Sequence, residues 1–99
     1  MISFMSPSEM AKHMAVRAKE KRLSLNLSQK SLAERSGVSY GVIKKFETTG
    51  KISLQSLLKL SLILDSLNEF ETLFKPIVLE TLPTLDDILK QRKRMRGRK

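Results

Sequence analysis

The chain has 99 residues, 40% of them hydrophobic and 5% aromatic, which suits one small globular domain. It contains no cysteine, so disulfides and thiolate metal sites are excluded, and its single histidine, His13, makes a poor metal site and is expected at the surface. No apolar run approaches the roughly 20 residues of a membrane span, and residues 1–5 lack the pattern of a secretory signal. We expect a cytoplasmic protein without a cofactor.

The formal net charge of +9 is distributed unevenly along the chain. Residues 1–52 hold ten Lys/Arg and four Asp/Glu, a net of +6. Residues 53–89 hold two and six, a net of −4, and residues 90–99 hold seven and none, a net of +7. This pattern predicts an anion-binding face, a second face of different character, and a basic tail.

The first predicted helix begins near Ser6 and runs to about Arg22. Ser6 and Glu9 have the spacing of a capping box, and Pro7 is tolerated at the first helical position. A turn follows, in which Asn26 can adopt a left-handed backbone conformation.

Two short helices follow, because Gly37 interrupts a helical pattern of apolar residues and favours a left-handed stop. Ser28 and Ser39 are N-cap candidates, so we predict one helix at about residues 28–36 and another at about residues 39–48. A short helix, a four-residue turn and a second helix form the helix-turn-helix layout, whose second helix usually enters the DNA major groove.

The second half of the chain predicts two more helices. Ser53 caps a fourth helix with leucines on nearly all sides, which is typical of a buried or shared helix. Residues 69–74 predict a short fifth helix that Pro76 stops. Residues 76–83 favour a strand or an extended arm, and the last ten residues are expected to be disordered when free.

The segment KRLSLNLSQKSLAERSGVSYGVIKKFETTGK resembles the Cro/C1-type (XRE) helix-turn-helix family, the fold of lambdoid phage repressors. The matching residues are Leu27-Ser28-Gln29, Leu32-Ala33, Gly37-Val38-Ser39, Ile43, Glu47 and Gly50. The resemblance covers roughly residues 17–67, and it departs from the family at Thr48-Thr49-Gly50, where members often have one residue fewer. It implies an all-α, five-helix DNA-binding domain over residues 1–75, followed by an extended C-terminal arm and basic tail over residues 76–99.

A second similarity, to HipB-like antitoxins, involves the leucine-rich fourth helix, the Phe-bearing short helix and the C-terminal TLDDILKQRKRMRGRK. Such antitoxins are encoded beside HipA-type kinase toxins, repress their own operon and bind the toxin. The similarity implies a nucleoid-associated bacterial repressor with a kinase toxin as partner. A plain phage-type repressor is the alternative.

The resemblance also implies a set of DNA-binding residues: Gln29, Ser39, Tyr40, Gly41, Lys44, Lys45, Thr49 and Lys51. In the family, the residue matching Gln29 anchors a phosphate, helped by the helix N-terminus. The base-reading positions match Ser39, Tyr40, Gly41 and Lys45, with Lys44 beside them.

The chemistry of these side chains fits those roles. Lysine can donate to guanine O6 and N7 or to a phosphate, and Tyr40 can touch a thymine methyl or hydrogen-bond to a phosphate. Gly41 permits close approach. The loop around Thr49 and Lys51 can offer backbone N–H groups and an ammonium to phosphates. A merely solvated lysine face and an ordinary loop are the alternatives.

Two further sets of residues have expected structural roles, and the resemblance implies the first of them. Arg22 and Glu47 are expected to form a partly buried ion pair between the first and third helices. The apolar side chains that exceed what one face of a small domain can hide are Leu57, Leu60, Leu64, Leu67, Phe70 and Phe74. We expect the last four in a homodimer interface, and simple core packing is the alternative. A homodimer would match the two-fold repeats of double-stranded operators.

The basic tail has several candidate partners. It can contact DNA phosphates, enter a minor groove, dock on an acidic toxin surface or act as a localisation signal, or it can stay solvated. An interaction module that no longer reads DNA is the competing function. RNA binding lacks an aromatic stacking platform, and an enzyme is not expected because no nucleophile is placed with an acid pair.

Overall fold

The computed structural model describes residues 5–76, and this part of the chain is entirely helical, as predicted. Four α-helices are followed by one short 3-10 helix. Their bounds are α1 Pro7–Ser24, α2 Gln29–Ser36, α3 Tyr40–Thr49, α4 Leu54–Ile63 and the 3-10 helix Leu67–Thr72.

A serine caps the N-terminus of every α-helix in residues 5–76, which is why the sequence located these helices well. The hydroxyls of Ser6, Ser28, Ser39 and Ser53 accept from the backbone N–H three residues later, at 2.9 to 3.2 Å. At α1, the backbone N–H of Ser6 also donates to the Glu9 carboxylate at 2.9 Å, which completes the predicted capping box. Each such cap contributes about 1 kcal/mol of stability.

Left-handed residues lie at or just after the ends of the four α-helices. Gly37 ends α2 with φ of 80° and Gly50 ends α3 with φ of 82°. Asn26 has φ of 62° in the turn between α1 and α2, which confirms the prediction made for that residue. Asp65 has φ of 58° just after α4, so the leucine-rich segment cannot continue as one helix.

The core lies between the four α-helices. α1 packs on α3, α2 packs on both α3 and α4, and α4 also contacts the 3-10 helix. The buried apolar side chains are Ala15, Leu27, Leu32, Val38, Ile43, Phe46, Leu60 and Leu64. The fixed orientation of α3 follows from Ile43 and Phe46, which hold one of its faces inside.

The second half of the domain corrects two expectations. Of the two alternatives for α4, full burial is wrong, since Leu54 and Leu62 are 67% and 61% exposed, and a helix shared with a second chain stays a prediction. The fifth helix is a 3-10 helix that begins two residues earlier than predicted and ends at Thr72. The arm beyond Pro76 and the basic tail lie outside the described residues. Between residues 5 and 76, no helix is long and apolar enough to cross a bilayer.

Candidate functional site

An ion pair joins the end of α1 to the end of α3. The guanidinium of Arg22 donates from Nε to Glu47 Oε2 at 2.7 Å and from Nη2 to Glu47 Oε1 at 3.1 Å. Its Nη1 donates to the carbonyl oxygen of Leu27 at 2.8 Å. The two side chains are only 7% and 6% exposed, so this bidentate pair is well shielded from water. It fixes the C-terminal part of α3 against α1 and the start of α2.

Gln29, the predicted phosphate anchor, takes part in the same network. Its Nε2 donates to Glu47 Oε1 at 2.8 Å, so the Glu47 carboxylate accepts from two side chains. A primary amide nitrogen carries two hydrogens, and one of them remains for a ligand. Gln29 is the first residue of α2, where the positive end of the helix dipole favours anions.

The other end of α3 faces solvent. Tyr40 is 40% exposed, and Gly41, Lys44 and Lys45 are exposed as well. A Cβ built on Gly41 would meet no atom within 4 Å, so nothing in the described fold requires a glycine there. The Ser39 hydroxyl accepts from the Val42 N–H at 3.2 Å, so its oxygen caps the helix while its proton stays available.

The loop after α3 is less open than the sequence suggested. The backbone N–H of Gly50 donates to the Phe46 carbonyl at 2.7 Å, and that of Lys51 donates to the Thr49 hydroxyl at 3.1 Å. The Thr49 hydroxyl itself donates to the Lys45 carbonyl at 2.7 Å. These donors already have partners within the protein, which leaves the exposed Lys51 ammonium as the group that the loop offers to an anion.

The four predicted interface residues separate into two groups. Leu64 is 4% exposed and belongs to the core, so its placement in a dimer interface is corrected: its side chain is not available at the surface. Leu67 and Phe74 are exposed, and Phe70 is partly buried. These three remain candidates for a contact with a second chain.

Two residues beside the predicted site were missed by sequence reasoning. Val42 fits the apolar pattern of α3, yet it is exposed next to Gly41, where an apolar side chain can touch a thymine methyl. Lys30 lies on α2, and its ammonium is 5.8 Å from the centre of the Tyr40 ring on α3. No local spacing relates residues on different helices; the only available signal was a lysine directly after Gln29.

The element order, the capped helices and the left-handed turn at Gly37 define a helix-turn-helix protein. A family model described as helix-turn-helix matches residues 19–70, slightly more than half of the chain. The chain belongs to this Cro/C1-type (XRE) helix-turn-helix family, a DNA-binding family, and this indicates a DNA-binding regulator. No curated protein matches the chain.

Proposed function

We propose that the chain is a sequence-specific transcriptional repressor that inserts α3 into the major groove of its operator. The observation that carries the proposal is the asymmetry of α3. Its apolar face and C-terminal end are held by the core and by Arg22, whereas Tyr40, Gly41 and Lys45 face outward. In a helix-turn-helix, the N-terminal residues of the second helix contact base edges.

Charge supports this orientation. α3 carries two exposed lysines, and its one acid, Glu47, is neutralised by Arg22. Gln29 at the start of α2 and Lys51 after α3 lie at the two sides of the helix-turn-helix in the sequence, where each can contact a phosphate. Contacts to phosphates fix the register of the protein on the duplex, while Lys45 contacts a base in this proposal.

The proposal includes a homodimer, because operators of helix-turn-helix proteins are commonly two-fold repeats that bind two recognition helices about 34 Å apart. Leu67, Phe70 and Phe74 provide an apolar surface near the end of the domain. We further propose that the protein is the antitoxin of a HipA-type toxin-antitoxin module in a bacterial cytoplasm. That part is supported by the similarity to HipB-like antitoxins in the leucine-rich fourth helix, the Phe-bearing short helix and the C-terminal sequence. A gene for a HipA-type kinase beside this one is its expected genetic context.

The test is binding to the promoter of the chain's own operon, measured by fluorescence anisotropy and footprinting. Lys45→Ala is expected to weaken specific binding by about 10- to 100-fold, because one good base contact is worth about 1–3 kcal/mol. Lys59→Ala, which removes an exposed lysine of α4, is the charge-matched control and is expected to bind like the wild type.

The stoichiometry in the same titration tests the homodimer, with two chains expected for each operator. Equal affinities for Lys45→Ala and the wild type would remove α3 from the interface. Equal losses in both lysine variants would show that only overall charge matters. A wild-type protein without a footprint would favour the competing interaction module.

A further inference from the structure

Tyr40 contacts the ammonium groups of two lysines that come from different helices. The Nζ of Lys30 on α2 lies 5.8 Å from the centre of the Tyr40 ring, and the Nζ of Lys44 on α3 lies 5.3 Å from it. Both distances fall within the range of a cation–π contact. The ring therefore joins two cationic side chains across the helix-turn-helix.

We propose that Tyr40 positions Lys30 and Lys44 so that their two ammonium groups form a binding site for one phosphate of the DNA backbone. We call this pair of lysines the two-lysine site. The inference rests on the proposed function and deepens it, because it gives Tyr40 a positioning role and adds Lys30 to the interface. It also assigns Lys44 to the backbone rather than to a base.

The charges around the ring support an anionic ligand. Neither lysine forms a salt bridge with a carboxylate of residues 5–76, so both ammonium groups lack a direct anionic partner among these residues. Two ammonium groups held near one ring repel each other, and an anion bound to both relieves that repulsion. Lysine is a point charge with three donors, which suits a phosphate oxygen better than a specific base edge.

The position of the pair in the fold indicates which anion it binds. In a helix-turn-helix bound to DNA, the first helix of the motif crosses the sugar-phosphate backbone while the second lies in the groove. A pair with one lysine on α2 and the other on α3 therefore lies at the border between groove and backbone. A lysine side chain is flexible and loses conformational freedom on binding, so a ring that already restricts two lysines reduces that loss.

The experiment measures affinity for the promoter over a series of salt concentrations. Lys30→Ala is expected to reduce the slope of log K against log salt by about 1, the value for one lost phosphate contact. Tyr40→Leu removes the ring and is expected to weaken binding, and Tyr40→Phe restores much of the loss because it keeps the ring. Lys59→Ala again serves as the charge-matched control.

A double-mutant cycle isolates the role of the ring. The loss caused by Lys30→Ala is expected to be about 2- to 5-fold smaller in the Tyr40→Leu background, because without the ring Lys30 loses more conformational freedom when it binds a phosphate. A second readout needs no DNA. The NMR chemical shifts of the Cε protons of Lys30 and Lys44 should change in the free Tyr40→Leu protein, which lacks the ring, and should stay close to the wild-type values in Tyr40→Phe.

The outcomes separate this inference from the proposed function. Suppose that Lys45→Ala weakens binding, but the fold-losses in affinity of Lys30→Ala and Tyr40→Leu simply multiply in the double variant. The two-lysine site is then wrong, while the proposed repressor function still stands. An unchanged slope of log K against log salt in Lys30→Ala also overturns the two-lysine site. If the wild-type protein binds no promoter DNA, both proposals fail.

Discussion

The two ends of α3 have opposite surroundings within one ten-residue helix. At the C-terminal end, Phe46 is buried and Glu47 accepts hydrogen bonds from Arg22 and Gln29. At the N-terminal end, Tyr40 and Gly41 are exposed, and the contacts of Tyr40 with other side chains include the ammonium groups of Lys30 and Lys44. The C-terminal end anchors α3 in the domain, and we call it the anchored end. The N-terminal end exposes its side chains to solvent, and we call it the presented end.

This difference shows how a small domain can fix the orientation of a helix while one of its ends stays exposed. Side chains at a binding site must be placed within a fraction of an ångström, and packing or paired charges provide that precision. Here the precision comes from the end of α3 that is far from the proposed bases. The following predictions test the comparison, because variants at the anchored end should change stability and variants at the presented end should change mainly binding.

The largest effect is expected at the ion pair. Arg22→Met should lower the free energy of unfolding by about 3–5 kcal/mol, since it leaves the shielded Glu47 carboxylate without its cationic partner. The Leu27 carbonyl loses its donor as well. Chemical denaturation followed by circular dichroism measures the change.

Lys19→Met is the matched control, because it also replaces a cationic side chain with methionine but at an exposed position of α1, and it should shift stability by less than about 0.5 kcal/mol. The double variant Arg22→Met/Glu47→Met should lose less than Arg22→Met alone, because no unpaired charge remains. An Arg22→Met protein as stable as the wild type would show that the pair does not anchor α3.

An intermediate effect is expected at the two left-handed glycines, which have nearly equal φ but different surroundings. A Cβ on Gly50 would lie 2.9 Å from backbone atoms of Ala11 and Lys12 in α1, whereas a Cβ on Gly37 would meet nothing within 4 Å. Gly37→Ala should therefore cost about 1–2 kcal/mol for the strained backbone alone. Gly50→Ala should cost about 1–3 kcal/mol more, because α1 must move.

Thermal or denaturant unfolding of the two glycine variants gives the difference directly, with each variant serving as the control for the other. Equal losses would mean that α1 does not approach the end of α3 as closely as the structure shows, and the anchored end would be looser than described.

The smallest effect on stability is expected at the presented end. Gly41→Ala should raise stability by up to about 1 kcal/mol, because glycine is a poor helix former and the space beside it is empty. The same methyl group should weaken operator binding if the backbone of α3 approaches the DNA there. Unfolding midpoints and operator anisotropy are the measurements. Tighter or equal binding together with higher stability would remove Gly41 from the interface.

Local signals made much of the fold predictable. The helix starts were marked by Ser6, Ser28, Ser39 and Ser53. A serine hydroxyl can accept a hydrogen bond from an N–H of the first helical turn, and this interaction depends only on residues close in the sequence. The end of α4 was harder to predict. Its leucines continue a helical pattern past Ile63, yet Asp65 adopts a left-handed conformation that ends the helix.

The sequence predicted which side chains of the candidate site are exposed better than it predicted their contacts. The presence of Tyr40, Lys44 and Lys45 on one exposed helix followed from spacing, whereas the burial of Leu64 did not, since a leucine-rich helix offers several faces to the core. The sequence also did not predict the hydrogen bonds made by the Thr49 hydroxyl and by the backbone N–H of Lys51, because they depend on the geometry of one turn.

The sequence by itself determined the all-helical class, the capped helix starts, the stop at Gly37 and the basic character of α3, because each depends on residues within one or two helical turns of one another. Only the tertiary structure decided that Gln29 shares the carboxylate of Glu47 with Arg22 and that Lys30 lies beside Tyr40. These contacts join residues on different helices, and their distances are fixed by how the helices pack and not by their separation along the chain.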